Sequence, residues 1–227
     1  MPSFLILLGG IIGATALWLG ARVLRQSATR KANRAGYFGA VAALFGSARL
    51  RIEPSGFARM SGVRDGLRYD LQAIPDSLSY RKLPALWVML TLTEPTPLRT
   101  TLDVMIRPTL REPFSNFRQR PDEVALPPGF PDDCALRCDD ADVLPPIELL
   151  ARYGFVFADP AVKELVMSPN GLRIVILAEE ADRSGYLLFR DAEIGQTPFP
   201  AHRLTPLLAG LQELHQDILQ TIGSDHG

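Results

Sequence analysis

Hydrophobic and polar positions divide the chain into stretches of different period. From Phe4 to Ala21 no residue is charged, and Leu, Ile, Gly and Ala dominate. As a helix, those 18 residues would be about 27 Å long, close to the hydrocarbon thickness of a bilayer. No polar face interrupts the run, so the pattern predicts an N-terminal transmembrane helix over residues 1–24 rather than a core helix. A second apolar stretch, 37–48 (YFGAVAALFGSA), has 12 residues and is too short to span. It fits either an interfacial helix or a core helix of the following domain.

From residue 48 the period shortens to two. Residues 48–53, 57–61 and 67–74 alternate, and Leu67, Tyr69, Leu71 and Ala73 fall on one side of a half-buried strand. Residues 85–92 (ALWVMLTL) read as a central strand, and 100–107 as another that ends at Pro108. Turn residues separate these runs, as in Gly62-Val63-Arg64-Asp65-Gly66. The stretch 108–142 holds six prolines and few periodic apolar positions, so little regular structure is expected there. Phe114, Phe117 and Phe130 offer it anchors on the body.

The last third mixes both periods. Helices are predicted over 145–153, entered through prolines, and over 159–166 after Asp159-Pro160. Residues 172–178 (LRIVILA) form a buried strand, expected to pair with 185–190 across a charged turn. Leu204, Leu207, Leu208, Leu211, Leu214, Ile218 and Ile222 recur on one face of a terminal amphipathic helix, with Thr205 as N-cap and Pro206 as first residue. The fold class is therefore α+β: a transmembrane helix, then a mainly antiparallel β-sheet domain with short helices and a C-terminal amphipathic helix. The expected organisation is an anchor at 1–24, a basic juxtamembrane and interfacial segment at 25–47, and a soluble domain at 48–227. That domain divides into possible subdomains 48–107 and 143–222, joined by 108–142.

Charge changes the picture because it is uneven. The whole chain has a net charge of −1, yet residues 22–34 carry five bases and no acid. From Arg49 onward there are 19 bases against 25 acids. An acidic body suits no phosphate backbone, so nucleic acid is excluded as a general partner. The bases Arg22, Arg25, Arg30, Lys31 and Arg34 instead follow the apolar run, as anionic-lipid contacts would. A cleaved signal peptide would carry its bases before the apolar run, and Met1-Pro2-Ser3 has none. Basic residues beside a spanning helix stay on the cytoplasmic side, which predicts a single-pass protein of the bacterial inner membrane with its body in the cytoplasm. Phe4, Leu8, Gly9, Gly13 and Trp18 are the anchor residues; Trp18 suits an interface, and Gly9 with Gly13 makes a possible helix-association pair.

Candidate chemistry is sparse. Cys134 and Cys138 are separated by three residues, one more than a redox pair usually has. Zinc would need further ligands at matching spacing, and His202, His215 and His226 do not supply it. The acids Asp132, Asp133, Asp139, Asp140, Asp142 and Glu148 lack the glycine and distal glutamate of a calcium loop. Arg81-Lys82 near Asp76, and Lys163-Glu164 on a short helix, read as surface ion pairs. No phosphate-cradling, nucleophile-elbow or zinc-helix motif occurs. No catalytic, cofactor-binding or metal residue is assigned from the sequence.

The 4–21 anchor, the Gly62–Gly66 hairpin, the 172–178 strand after Asn170-Gly171 and the leucine-rich terminal helix together resemble families of bacterial membrane-anchored proteins. In these families a cytoplasmic α+β domain of unassigned activity follows the anchor. The resemblance is one of arrangement over the whole chain and implies no catalytic residues. The expected function is a membrane-anchored, non-enzymatic accessory protein. Its partners would be the lipid bilayer and a protein bound by the soluble domain. Two alternatives are a small-molecule or lipid-derived ligand-binding domain or enzyme, and a homo-oligomeric membrane scaffold.

Overall fold

Alternating side chains between residues 46 and 106 have one outcome when one face can be buried: strands that pair side by side. The computed structural model describes residues 2–76, 83–109, 111–183 and 194–223, with backbone alone at 2–9 and 11. It contains helix α1 (Pro2–Ala35), then strands β1 (Gly46–Ile52), β2 (Ala58–Arg64), β3 (Leu67–Asp76), β4 (Ala85–Leu92) and β5 (Leu102–Ile106). Strands β6 (Asp122–Val124) and β7 (Cys134–Cys138), helix α2 (Ile147–Ala151), strands β8 (Val162–Ser168) and β9 (Gly171–Glu180), and helix α3 (Ala201–Gly223) complete it.

The nine strands found among the described residues join one antiparallel sheet in the order β1-β2-β3-β4-β9-β8-β5-β7-β6. Strands β1 to β4 are consecutive hairpin neighbours. Asp65 and Gly66 both have positive φ, at 50° and 81°, as the tight turn between β2 and β3 requires. The β8–β9 hairpin then inserts between β4 and β5, so strands from both expected subdomains share a single sheet.

One face of the sheet carries the main core. Met60, Leu71, Val88, Leu90, Ile174, Leu165 and Val104 point into it, and α3 covers them with Leu204, Leu208, Leu211, Leu214 and Ile218. The stretch after α1 belongs to the same core: Tyr37, Phe38, Val41 and Phe45 are buried, with a 3-10 turn over Gly39–Leu44. Phe38 packs edge-on against Tyr37 and Phe199. The other face is covered by a smaller cluster, Met105, Phe114, Phe117 and Val175, with Trp87 and Met89 beside it.

Several expectations change. Residues 159–166 were expected to be helical, yet Val162–Ser168 is the inner strand β8. Val162, Leu165 and Met167 fill the core, and pairing to β5 and β9 on both sides outweighs the local helix-start signal. The strand at 172–178 has β8 and β4 as neighbours; its expected partner, 185–190, lies within the undescribed 184–193. The proline-rich stretch contains strands β6 and β7. Helix α3 begins at Ala201, not at Thr205, so Pro206 lies inside it, and Thr205 Oγ1 donates to Ala201 O at 3.0 Å.

Among the described residues, no helix is long and apolar enough to cross a membrane. The expected anchor does not end near residue 24: α1 continues as one helix of 34 residues through the basic stretch. Phe4, Leu8 and Gly9 lie where side chains are outside the described residues.

Candidate functional site

Two places in the structure hold polar or apolar groups that folding alone does not explain. The first is α1. Ile12, Leu17, Trp18, Leu19, Val23 and Leu24 are large apolar side chains, 48–78% exposed. A Cβ added at Gly10, Gly13 or Gly20 would meet nothing within 4 Å. The C-terminal end of the helix is tied to the body. There Asn33 Nδ2 donates to Gln196 Oε1 at 3.2 Å, and the Arg34 guanidinium lies 5.4 Å from the centre of the Phe57 ring. The Arg22 guanidinium lies over the Trp18 ring at 5.5 Å. A cleft of about 570 Å³ runs along this stretch, lined by Trp18, Arg22, Arg25, Thr29, Arg30 and Gln196. Arg22, Arg25, Arg30 and Lys31 therefore share one projecting helix, whereas Arg34 is drawn into the body.

The second place is a strap, the described residues of 107–121 (107–109 and 111–121), laid across the smaller face of the sheet. The strap is fastened by charged side chains rising from β5 and β8, adjacent strands in the sheet. Lys163 Nζ donates to the carbonyls of Ile106 and Arg107 at 2.8 and 2.7 Å and pairs with Glu112 at 3.2 Å. Ser115 Oγ donates to Glu164 Oε1 and accepts from the Phe117 amide at 2.9 Å. Arg120 Nε donates to Asp103 Oδ2 at 3.1 Å, and its Nη1 reaches Asp139 at 2.6 Å. Phe114 packs on Trp87 with ring centres 4.8 Å apart. The expected anchor role of Phe114 and Phe117 is thus realised, and both are buried.

Beneath the strap, Asp103 and Glu164 are fully buried. Each contacts the other's carboxyl, and Arg173 Nη2 donates to Glu164 Oε2 at 3.2 Å from β9. Burial, followed by the neighbouring Asp103 charge, pushes the Glu164 carboxyl up to about 8. Burial also raises Asp103, against the opposing pull of Arg120. A cavity of about 330 Å³ lies beside the strap, lined by Met105, Glu112, Ser115, Asn116 and Phe117 among others.

The sequence placed Lys163 and Glu164 together on an exposed helix. The strand geometry separates them: Lys163 reaches the strap's root, and Glu164 is buried under its middle. The local pattern marks Glu164 only as half of a surface ion pair and does not mark Asp103, because the burial of both depends on a cover that arrives from another part of the chain. The remaining candidates disperse. Cys134 and Cys138 are free thiols at opposite ends of β7, about 13 Å apart at the rise of a strand and too far to join. Burial, first, and Asp133 push the Cys134 thiol up to about 11. His215 is buried, with Nε2 3.2 Å from Pro95 O. Asp133 pairs with Arg107 at 3.3 Å, and Asp140 accepts from the Asp142 amide at 2.9 Å. Asp132 and Glu148 are exposed. Arg81, Lys82 and His226 lie outside the described residues. Among the described residues, no group of three or more His, Cys, Asp or Glu side chains could hold a metal ion.

No protein-family model matches the chain, and neither does any curated protein or solved structure.

Proposed function

We propose that the protein is a membrane-attached accessory protein of the bacterial inner membrane, whose body recruits a protein partner to the cytoplasmic surface. The observation that carries this reading is the row of exposed apolar side chains on α1 from Ile12 to Leu24, unpacked against the body and followed at once by bases. Apolar area of that size is costly in water, at roughly 25 cal/mol per Å². A bilayer relieves the cost, and each nearby base adds about 1 kcal/mol of attraction to anionic head groups. Burial of Tyr37, Phe38, Val41 and Phe45 in the core supports a lipid boundary before residue 37. The single-pass orientation rests on the positive charges at 22–34.

The test is fractionation of the full chain expressed in a bacterial host. An alkaline carbonate wash should leave it in the membrane pellet, and a mild-detergent pull-down should recover a partner in stoichiometric amount. Release of the intact chain by carbonate would overturn the anchor. A clean preparation without partner would overturn the accessory role.

A second reading, a ligand-binding domain or enzyme, is favoured by one observation: the cavity beside Ser115, with the buried Glu164 and Asp103 carboxyls behind that residue. Saturable binding of a small polar molecule, abolished by filling the cavity with Asn116→Trp, would move the balance to it.

A further inference from the structure

The structure assigns Asp103 and Glu164 as a proton-binding site: a carboxyl pair that shares one proton, whose occupancy holds the 107–121 strap closed over the sheet. Three observations carry it. First, the two side chains face each other from adjacent strands, both fully buried, and contact each other directly. Two ionised carboxylates at such a separation without water repel strongly, and one of them must keep its proton. Second, Asp103 Oδ1 receives no N–H or hydroxyl hydrogen from any other described residue. A buried acceptor left without a donor is costly, and a protonated Glu164 is the group placed to supply one. Third, the charges balance only with the proton present. Arg120 is shared by Asp103 and Asp139, and Arg173 pairs with Glu164, so with all three carboxyls ionised three anions would face two cations, and a proton on the buried pair removes the excess charge.

The groups facing the pair come from every element around it. Arg173 reaches from β9, while Ser115 and Arg120 reach from the strap. Arg137 stands opposite Asp103 on β7, but its guanidinium is spent on the carbonyls of Arg120 and Pro121 and on Glu123. Lys163 and Glu112 neutralise each other at the strap's root. None of these provides a second cation for an ionised Glu164. The raised Glu164 carboxyl, near 8, agrees with this geometry. When base removes the proton, the excess anion is hydrated only if the strap lifts. Because Phe114 belongs to the strap and packs on Trp87 with the ring planes inclined at 50°, lifting parts those two rings.

The chain has two tryptophans, Trp18 and Trp87, so Trp18→Phe leaves Trp87 as the single reporter. The full-length W18F chain in detergent micelles would be titrated from pH 6 to 9.5 by Trp emission. A one-proton transition is expected with its midpoint near 8, in line with the raised Glu164 carboxyl. In W18F/E164Q the amide keeps the neutral form, and the emission stays at its closed value throughout. Far-UV circular dichroism checks that this variant is folded. In W18F/D103N the neighbouring charge is gone, and the midpoint moves to lower pH by a unit or more. A flat titration of the W18F chain, or a transition that survives E164Q unchanged, overturns the assignment. If E164Q does not fold, an unmoved midpoint in D103N overturns it equally.

Discussion

Replacing Phe38 with Ala tests where the folded body begins, and so where a membrane boundary must end. The ring is fully buried, with its centre 5.4 Å from that of Tyr37 and 6.4 Å from that of Phe199. Phe199 is held in register with this stretch by its amide, which donates to Tyr37 O at 2.8 Å. Removing a buried phenyl ring loses its transfer energy and leaves a cavity, together worth about 3–5 kcal/mol. A domain of this size has a urea slope of about 2–3 kcal/mol per M, so the midpoint should fall by about 1–2.5 M. The assay is urea unfolding of the full chain in mild detergent, followed by circular dichroism of the sheet. Phe155→Ala is the control, because that ring is 63% exposed, and its effect should stay within about 0.5 kcal/mol. If Phe38→Ala matches the control, the ring is not in the core. Weakened vesicle binding in the same variant would then return residues 37–48 to the lipid interface and refute the reasoning.

Three further outcomes follow from particular positions. Gly171 has φ of 139°, and an added Cβ would lie 2.2 Å from Leu92 O, so Gly171→Ala should cost about 2–5 kcal/mol through strain and forced separation, read as a lower Tm. Glu164 keeps its proton to about 8 in the folded state against 4.5 for an ordinary glutamate, so stability is fully present below 4.5 and falls as pH rises to 8. Urea midpoints measured from pH 5 to 8 should decline, and Glu164→Gln should flatten the decline; a rise with pH in that window would contradict the burial argument. Cys134, raised to about 11, should react with iodoacetamide at pH 8 about a hundredfold more slowly than a free thiol until urea is added, and native labelling at the free-thiol rate would count against its burial.

Local pattern was sufficient where neighbours in sequence are neighbours in space. Strands β1 to β4 and the hairpin at Asp65-Gly66 read directly, because alternation and turn chemistry act over a few residues. The buried stripe of α3 read as well, from Leu204 to Ile218, since one face of a helix is a property of its own spacing. The start of α3 did not, because a proline suits the first turn but is tolerated further in. The charge split along the chain, with five bases and no acid at 22–34 and an acidic excess from Arg49 onward, is likewise a property of sequence alone.

What tertiary structure decided was long-range. Val162–Ser168 is a strand only because β5 and β9 bracket it, and its Lys163-Glu164 pair gave the window a polar, helical look. The insertion of β8 and β9 between β4 and β5 turned two expected subdomains into one sheet. Asp103 and Glu164 lie 61 positions apart in sequence, and each sits in an ordinary apolar run. Their chemistry arises because strand pairing brings them to one face and the 107–121 strap then excludes water from both. Periodicity records which residues can share a face; which faces meet, and what covers them, depends on contacts between distant segments.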